Sequence, residues 1–131
     1  MAGLSLYLSN KLIDHVNGHA VYTPPDHLWL ALFTSDPTDL FTGTEVAGGS
    51  YARIEVTSDL AAVAAAAHAA ANTGTYTFTD LPACVLTHGA LFDAAVAGNG
   101  LYFGPLAGEP VTIASGGDYT LAPGDISTQM H

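Results

Sequence analysis

The apolar pattern is densest within residues 28–57, where two short runs flank a long acidic loop. Residues 28–34 are apolar almost without a break, which predicts a buried β-strand. Residues 51–57 alternate between apolar and polar, which predicts a second strand with one solvent-facing side. The loop between them is rich in Pro and Gly, and long ordered loops often make functional contacts. We therefore expect this loop to touch a partner.

The N-terminal stretch has the spacing of an amphipathic helix. Leu4, Leu8, Leu12 and Val16 recur every four residues, and Gly18 provides a C-terminal stop. The pattern predicts a helix of three to four turns within residues 1–18.

The Ala-rich segment 60–71 supports two interpretations. Alanine is the best helix former, but a short Ala-rich helix is marginal in water, and small side chains also suit a close-packed extended segment. The pattern leaves helix and extended structure open.

The rest of the chain is punctuated by Gly, Pro and Asp turns between short apolar runs. The predicted strands are residues 75–79, 84–92, 101–106, 111–114, 119–122 and 126–130. The sequence thus predicts a mainly β fold: a compact antiparallel β-sandwich or small barrel of about seven strands with an N-terminal amphipathic helix. We expect a single domain over residues 1–131, with the sandwich in residues 28–130.

The charge balance narrows the possible partners. Two Lys and Arg stand against 12 Asp and Glu, for a formal net charge of −10. Nucleic acid and anionic membranes are therefore not expected as ligands, whereas a basic surface on another protein is. Cys84 is the only cysteine and is expected to be a small core residue. No signal peptide or run of ~20 apolar residues is recognised, so we expect synthesis in the cytoplasm.

Histidine and carboxylate groups suggest weak metal sites. His15 and His19 have the spacing of two ligands on one helix face, with His27 and His88 as further candidates. Gly18 is expected to end the helix between the first two, so ordinary histidines are favoured. Asp36, Asp39 and Glu45 suit Ca²⁺ chemistry but match no EF-hand spacing, and a solvated loop is favoured. We predict no catalytic residue, metal site or cofactor.

Arg53 is the single arginine, and it lies next to Tyr51 in the second predicted strand. Glu55, on the same strand face, is the obvious local partner for an ion pair. An ordinary exposed arginine is the equally weighted alternative.

Several motifs together resemble one protein family. They are NKLIDH (10–15), YTPP (22–25), LWLALFTSDPTD (28–39), GTEV (43–46), GGSYAR (48–53), THGALFD (87–93), LYFG (101–104) and PGD (123–125). The chain resembles small virion proteins of tailed bacteriophages, which are usually labelled tail-fibre-like and in some phages decorate the head. The resemblance spans nearly the whole chain and implies a structural virion protein.

The position on the virion is a separate question. The chain has no repeats or shaft to give a fibre its length, which favours a capsid decoration (cement) protein on the head surface. The expected partner is then the major capsid protein, with a homotrimer favoured. A tail fibre, tail-tip or baseplate component with tail proteins as partners is the alternative, and a metal-dependent hydrolase is the remote one. The candidate subunit-contact residues are Asp36, Asp39, Phe41, Glu45, Arg53, Leu4, Tyr7 and Leu8.

Overall fold

One helix and eleven short strands make up the computed structural model, which describes residues 3–57, 59–60 and 69–129. In chain order they are β1 (Gly3–Leu4), α1 (Leu6–Val16), β2 (Trp29–Phe33), β3 (Ile54–Glu55), β4 (Ala69–Ala71), β5 (Tyr76–Leu81), β6 (Cys84–Leu86), β7 (His88–Phe92), β8 (Gly100–Pro105), β9 (Val111–Ile113), β10 (Gly117–Leu121) and β11 (Ser127–Gln129).

A five-stranded antiparallel sheet forms one layer, in the order β1-β8-β7-β2-β3. Leu30 and Leu32 of β2 are fully buried in the main core. Ala31 and Phe33 are buried on the opposite face, in a second apolar cluster with residues of β7. Because both faces of β2 are covered, the strand needs no polar alternation, which explains its unbroken apolar run.

Three two-stranded antiparallel ladders, β5–β10, β6–β9 and β4–β11, lie opposite this sheet. Their inward side chains, including Phe78, Leu86 and Leu121, join those of the large sheet in one core. The mainly β, sandwich-like prediction is therefore confirmed, as an open arrangement and not a closed barrel.

The strand number exceeds the predicted seven because β1 and β4 were not predicted as strands and because one apolar run divides into two strands. Residues 84–92, predicted as one strand, divide at Thr87 into β6, which pairs with β9, and β7, which pairs with β2 and β8. The Thr87 N–H donates to the carbonyl oxygen of Phe33 at 3.0 Å, which holds the crossing point against the large sheet. Of residues 51–57, which were predicted to form one strand, only Ile54–Glu55 does so, as β3.

Helix α1 is shorter than the predicted span. Ser5 is its N-cap, because its hydroxyl accepts from the Leu8 N–H at 3.0 Å. Leu4 precedes this cap. It lies in β1 and pairs with Tyr102 of β8, so it belongs to the sheet and not to the helix. The helix ends at Val16, and Leu8 is its buried residue.

Part of the Ala-rich segment is extended. β4 pairs with β11, with Ala71 opposite Ser127 at one end and Ala69 opposite Gln129 at the other. The strand predicted within residues 126–130 is therefore present, as β11. Residues 61–68, where helix and extended structure were left open, lie outside the described residues.

Asn72 fixes the end of this ladder from a buried position. Its side-chain oxygen accepts from the N–H groups of Gly124 and Ile126, both at 2.9 Å. Its amide nitrogen donates to the carbonyl oxygens of Gly74 and Ala122, at 2.7 and 3.1 Å. These four bonds satisfy the amide inside the protein.

Candidate functional site

Arg53 and Glu45 form the best-buried ion pair in the described residues. The Arg53 Nη2 lies 2.8 Å from Glu45 Oε1, and its Nε lies 2.9 Å from Oε2. The two side chains are 7% and 26% exposed. This two-point geometry is the strong form of an arginine–carboxylate contact. The expectation that Glu55 pairs with Arg53 is wrong, because Glu55 instead faces His27 at 3.2 Å.

The path of the acidic loop brings Glu45 to Arg53. After β2 the chain turns and comes back beside this strand, where Val46 N–H donates to the Leu32 carbonyl oxygen at 2.9 Å. The turn is tight at Gly43, where a Cβ atom would lie 2.6 Å from the backbone oxygen of Asp36. Glycine is therefore required there, and residues 44–46 run alongside β2.

Arg53 also holds a second loop in place. Its Nη1 donates to the carbonyl oxygens of Ala94 and Ala97, at 2.8 and 2.7 Å. Its guanidinium group lies over the Phe92 ring, 3.7 Å from the centroid. The side chain thus joins the acidic loop to the turn that follows β7, and it combines ionic, hydrogen-bond and cation–π contacts.

Tyr51 completes this network. Its hydroxyl donates to Glu45 Oε2 at 2.7 Å and accepts from the Leu32 N–H at 3.1 Å. Burial, followed by the hydrogen bond to Glu45, raises the pKa of Tyr51 well above its ordinary value. Because Glu45 has both oxygens occupied by internal donors, the arrangement is suited to holding the loop rather than to transferring a proton.

A groove lies at the other end of the same loop. Its volume is about 460 Å³, and we call it the helix–loop groove because it runs between the start of α1 and residues 39–41. It is lined by Ser5, Leu6, Tyr7, Asn10, Asp39, Leu40, Phe41, Gly98, Asn99 and Gly100.

Backbone contacts keep the walls of the groove together. The Leu6 N–H donates to the Asp39 carbonyl oxygen at 2.8 Å, which ties the helix start to the loop. The Phe41 ring lies against Gly100, where an added Cβ would stand 2.1 Å from a ring atom. Phe41 also contacts Phe92 edge-on at 5.3 Å, so it anchors the loop to the second apolar cluster.

The candidate contact residues fall into three groups. Glu45 and Arg53 pair with each other inside the protein, while Leu4, Leu8 and Phe41 face inward to varying degrees. Tyr7 and Asp39 line the helix–loop groove. Asp36 is exposed, accepts from the Thr38 N–H at 2.9 Å and lies 3.9 Å from His88 Nε2. That these residues contact another subunit stays a prediction.

The helix–loop groove includes residues that the sequence did not single out. Leu6 and Leu40 are 44% and 63% exposed, so two large apolar side chains face solvent at one cavity. Leu6 does not fall on the four-residue spacing that marks the apolar face of the predicted helix. A large apolar residue off that face was the sequence signal that could have identified Leu6. Leu40 lies between polar loop residues, and no periodic pattern marks it.

The histidines are spread over separate parts of the structure. His15 Nδ1 accepts from the Tyr22 N–H at 3.1 Å, and His19 lies beyond the end of α1. In the part of the chain that the structure describes, no three His, Cys, Asp or Glu side chains are grouped to bind a metal ion. The one helix there is also too short to cross a membrane.

The comparison with protein families identifies the family of the chain. No curated protein matches the chain. The family model described as podophage GP4 fiber I protein gp80 matches residues 3–129, which is nearly the entire sequence. This family is one of virion structural proteins and is tail-fibre-like, as the motif resemblance implied. The chain therefore belongs to the family of the podophage GP4 fiber I protein gp80.

Proposed function

We propose that the protein is a non-enzymatic structural subunit of a fibre on the phage particle, and that it acts by binding other virion proteins. The observation behind this proposal is the family match over residues 3–129, whose description is that of a fibre protein. This description favours the tail-fibre alternative over capsid decoration, which the absence of sequence repeats had favoured.

The polar interior supports a structural function. Arg53, Glu45 and Tyr51 form a part-buried polar network in the described residues, and they bond to one another and to backbone carbonyls. A network of this kind rigidifies the loop it holds. It supports a domain that presents a fixed outer surface to neighbouring subunits.

The charge supports binding to a protein of opposite sign. A net charge of −10 raises the association rate with basic surfaces on other proteins. Within a fibre, a more basic neighbouring subunit is then the expected partner, and a homo-oligomer, with a trimer favoured, stays part of the proposal.

Capsid decoration remains the second candidate, and the sequence gives it one specific support. The chain shows no internal repeat, and a compact domain without repeats suits a subunit that caps a lattice. A fibre subunit of this kind would be one globular part of a longer assembly.

Cryo-electron microscopy of the intact virion tests the proposal. The five-stranded sheet, its three ladders and the short helix give a shape that can be fitted into density at moderate resolution. We expect it in a fibre attached to the tail. Density for the domain on the capsomers, with none on the tail, would refute the fibre proposal and establish decoration.

Deletion of the gene gives an independent readout. Loss of a fibre subunit should reduce adsorption to the host while filled heads keep their heat resistance. Loss of a cement protein should lower the temperature at which heads release DNA, because a subunit that binds only the assembled lattice stabilises it. Stoichiometric zinc in the purified protein would instead favour the hydrolase alternative.

A further inference from the structure

We propose that the helix–loop groove binds a segment of a different virion protein, and that this segment presents a lysine or arginine side chain between apolar residues. The inference rests on the proposed structural function and names the chemistry of the partner. It is drawn from the shape, exposure and charge of the groove.

The walls of the groove leave apolar surface open to solvent. Leu6, Tyr7 and Leu40 are 44%, 36% and 63% exposed, and they lie around a single cavity of about 460 Å³. The helix that supplies two of these side chains has Leu8 as its buried residue. Because short helices owe their stability mainly to packing of an apolar face, further contact at this face is favourable.

Asp39 supplies a negative charge within this apolar setting. Across the described part of the chain its carboxylate has no hydrogen-bond or ion-pair partner, although its backbone oxygen accepts from Leu6 N–H. Several other loop aspartates are used internally: Asp93 accepts from Asn99 N–H at 2.7 Å, and Asp125 accepts from Ala122 N–H at 2.8 Å. Asp39 is thus available to a donor from outside.

An apolar rim beside an unpaired carboxylate fits one kind of side chain best. Lysine and arginine bury an aliphatic stem and present a charged head, so the stem can lie against Leu6 and Leu40 while the head meets Asp39. Apolar neighbours on the same segment would cover the remaining exposed surface.

The cation is not expected from a second copy of this chain. Arg53 is 7% exposed and is held by Glu45 and two backbone carbonyls. Lys11 is the other cation, and its Nζ lies over the Tyr7 ring at 5.7 Å. A second copy, which also has a net charge of −10, offers the groove no complementary charge. The partner is therefore a different and more basic virion subunit.

Cross-linking in the assembled phage identifies the occupant. A photoreactive phenylalanine analogue at position 40, which is 63% exposed in the native protein, should label whatever fills the groove. We expect a cross-link to another virion protein, within a segment that contains Lys or Arg beside apolar residues. A cross-link to a second copy, to a segment without a cation, or to no protein would overturn the proposal.

Charge variants test the contribution of Asp39. Asp39→Asn should lower the number of copies retained per virion at physiological salt by about two- to fivefold, the effect of one exposed ion pair, and Asp39→Lys should lower it further. Glu109→Lys is the control, because Glu109 is exposed and follows the far end of β8, away from Gly100 in the groove.

Unfolding of the purified variants separates folding from binding. Asp39 uses only its backbone oxygen internally, so all three proteins should keep the wild-type melting temperature. Retention of both Asp39 variants at the wild-type copy number would overturn the inference without affecting the fibre proposal. If the wild-type domain is located on the head, the fibre proposal is refuted. The cross-linking result then still decides whether the helix–loop groove binds a segment of another virion protein.

Discussion

Replacing Arg53 by methionine tests how much the buried ion pair contributes to stability. Methionine keeps the aliphatic volume over Phe92 but removes every donor, so Glu45 is left partly buried without its counter-ion. Breaking a buried pair in this way costs about 3–5 kcal/mol. We expect the lower end, about 3 kcal/mol, because Glu45 is 26% exposed and water can reach part of its carboxylate.

Urea unfolding of the purified protein measures this loss. In thermal unfolding, the same change of ~3 kcal/mol should lower the melting temperature of this 131-residue chain by roughly 11 °C. Glu45→Gln should cost a similar amount, about 3 kcal/mol, because it leaves the Arg53 guanidinium, which is only 7% exposed, without its counter-ion and sets an amide N–H against an arginine donor. The double variant should be more stable than the sum of the two losses predicts, since neither change then leaves an unpaired charge.

Glu55→Gln is the matched control for the pairing itself. Glu55 is the partner that the sequence suggested, and its contact with His27 is largely solvent-exposed, so we expect a change within about 0.5 kcal/mol. A loss below about 1 kcal/mol for Arg53→Met, or strict additivity with Glu45→Gln, would show that the ion pair does not hold the loop.

Three further substitutions test other parts of the fold. Asn72→Asp removes two buried donors and places a carboxylate against two carbonyl oxygens, and should cost about 2–4 kcal/mol in urea unfolding. Ser5→Ala removes the N-cap and should cost about 1 kcal/mol, with a small loss of far-ultraviolet helical signal. Hydrogen bonds, first from the Thr73 hydroxyl, hold the pKa of Asp59 below its ordinary value. Its stabilisation is therefore present above the unfolded-state pKa and is lost as pH falls through the lower folded-state value. Between pH 5 and pH 3 the urea midpoint should fall less steeply in Asp59→Asn than in the wild type.

Each of these outcomes has its own control. Asn10→Asp, at an exposed position inside α1, makes the same chemical change as Asn72→Asp and should have little effect; equal losses at both sites would contradict the buried amide network. Ser9→Ala, inside the helix, should not reproduce the effect of Ser5→Ala. If the acid dependence of Asp59→Asn matches that of the wild type, the hydrogen bonds to Asp59 do not contribute.

The local pattern of the sequence was sufficient for the fold class. The unbroken run of residues 28–34 marked the central strand β2, and the four-residue spacing around Leu8 marked the helix. Gly and Pro turns separated most of the remaining strands, because turn conformations depend on the few residues that adopt them. The motif resemblance also indicated a virion family, which the family match confirmed.

Pairing between distant residues was decided by the tertiary structure alone. Glu55 lies two residues from Arg53 and looked like its partner, yet the return of the acidic loop along β2 brings Glu45 closer. The same folding of the loop turns Phe41 inward and leaves Leu40 beside Leu6 at the groove. Periodicity reports which face of an element is apolar, but it contains no information on which distant elements meet. Such contacts depend on strand register and on the path of the chain, and these arise only when all the elements pack together.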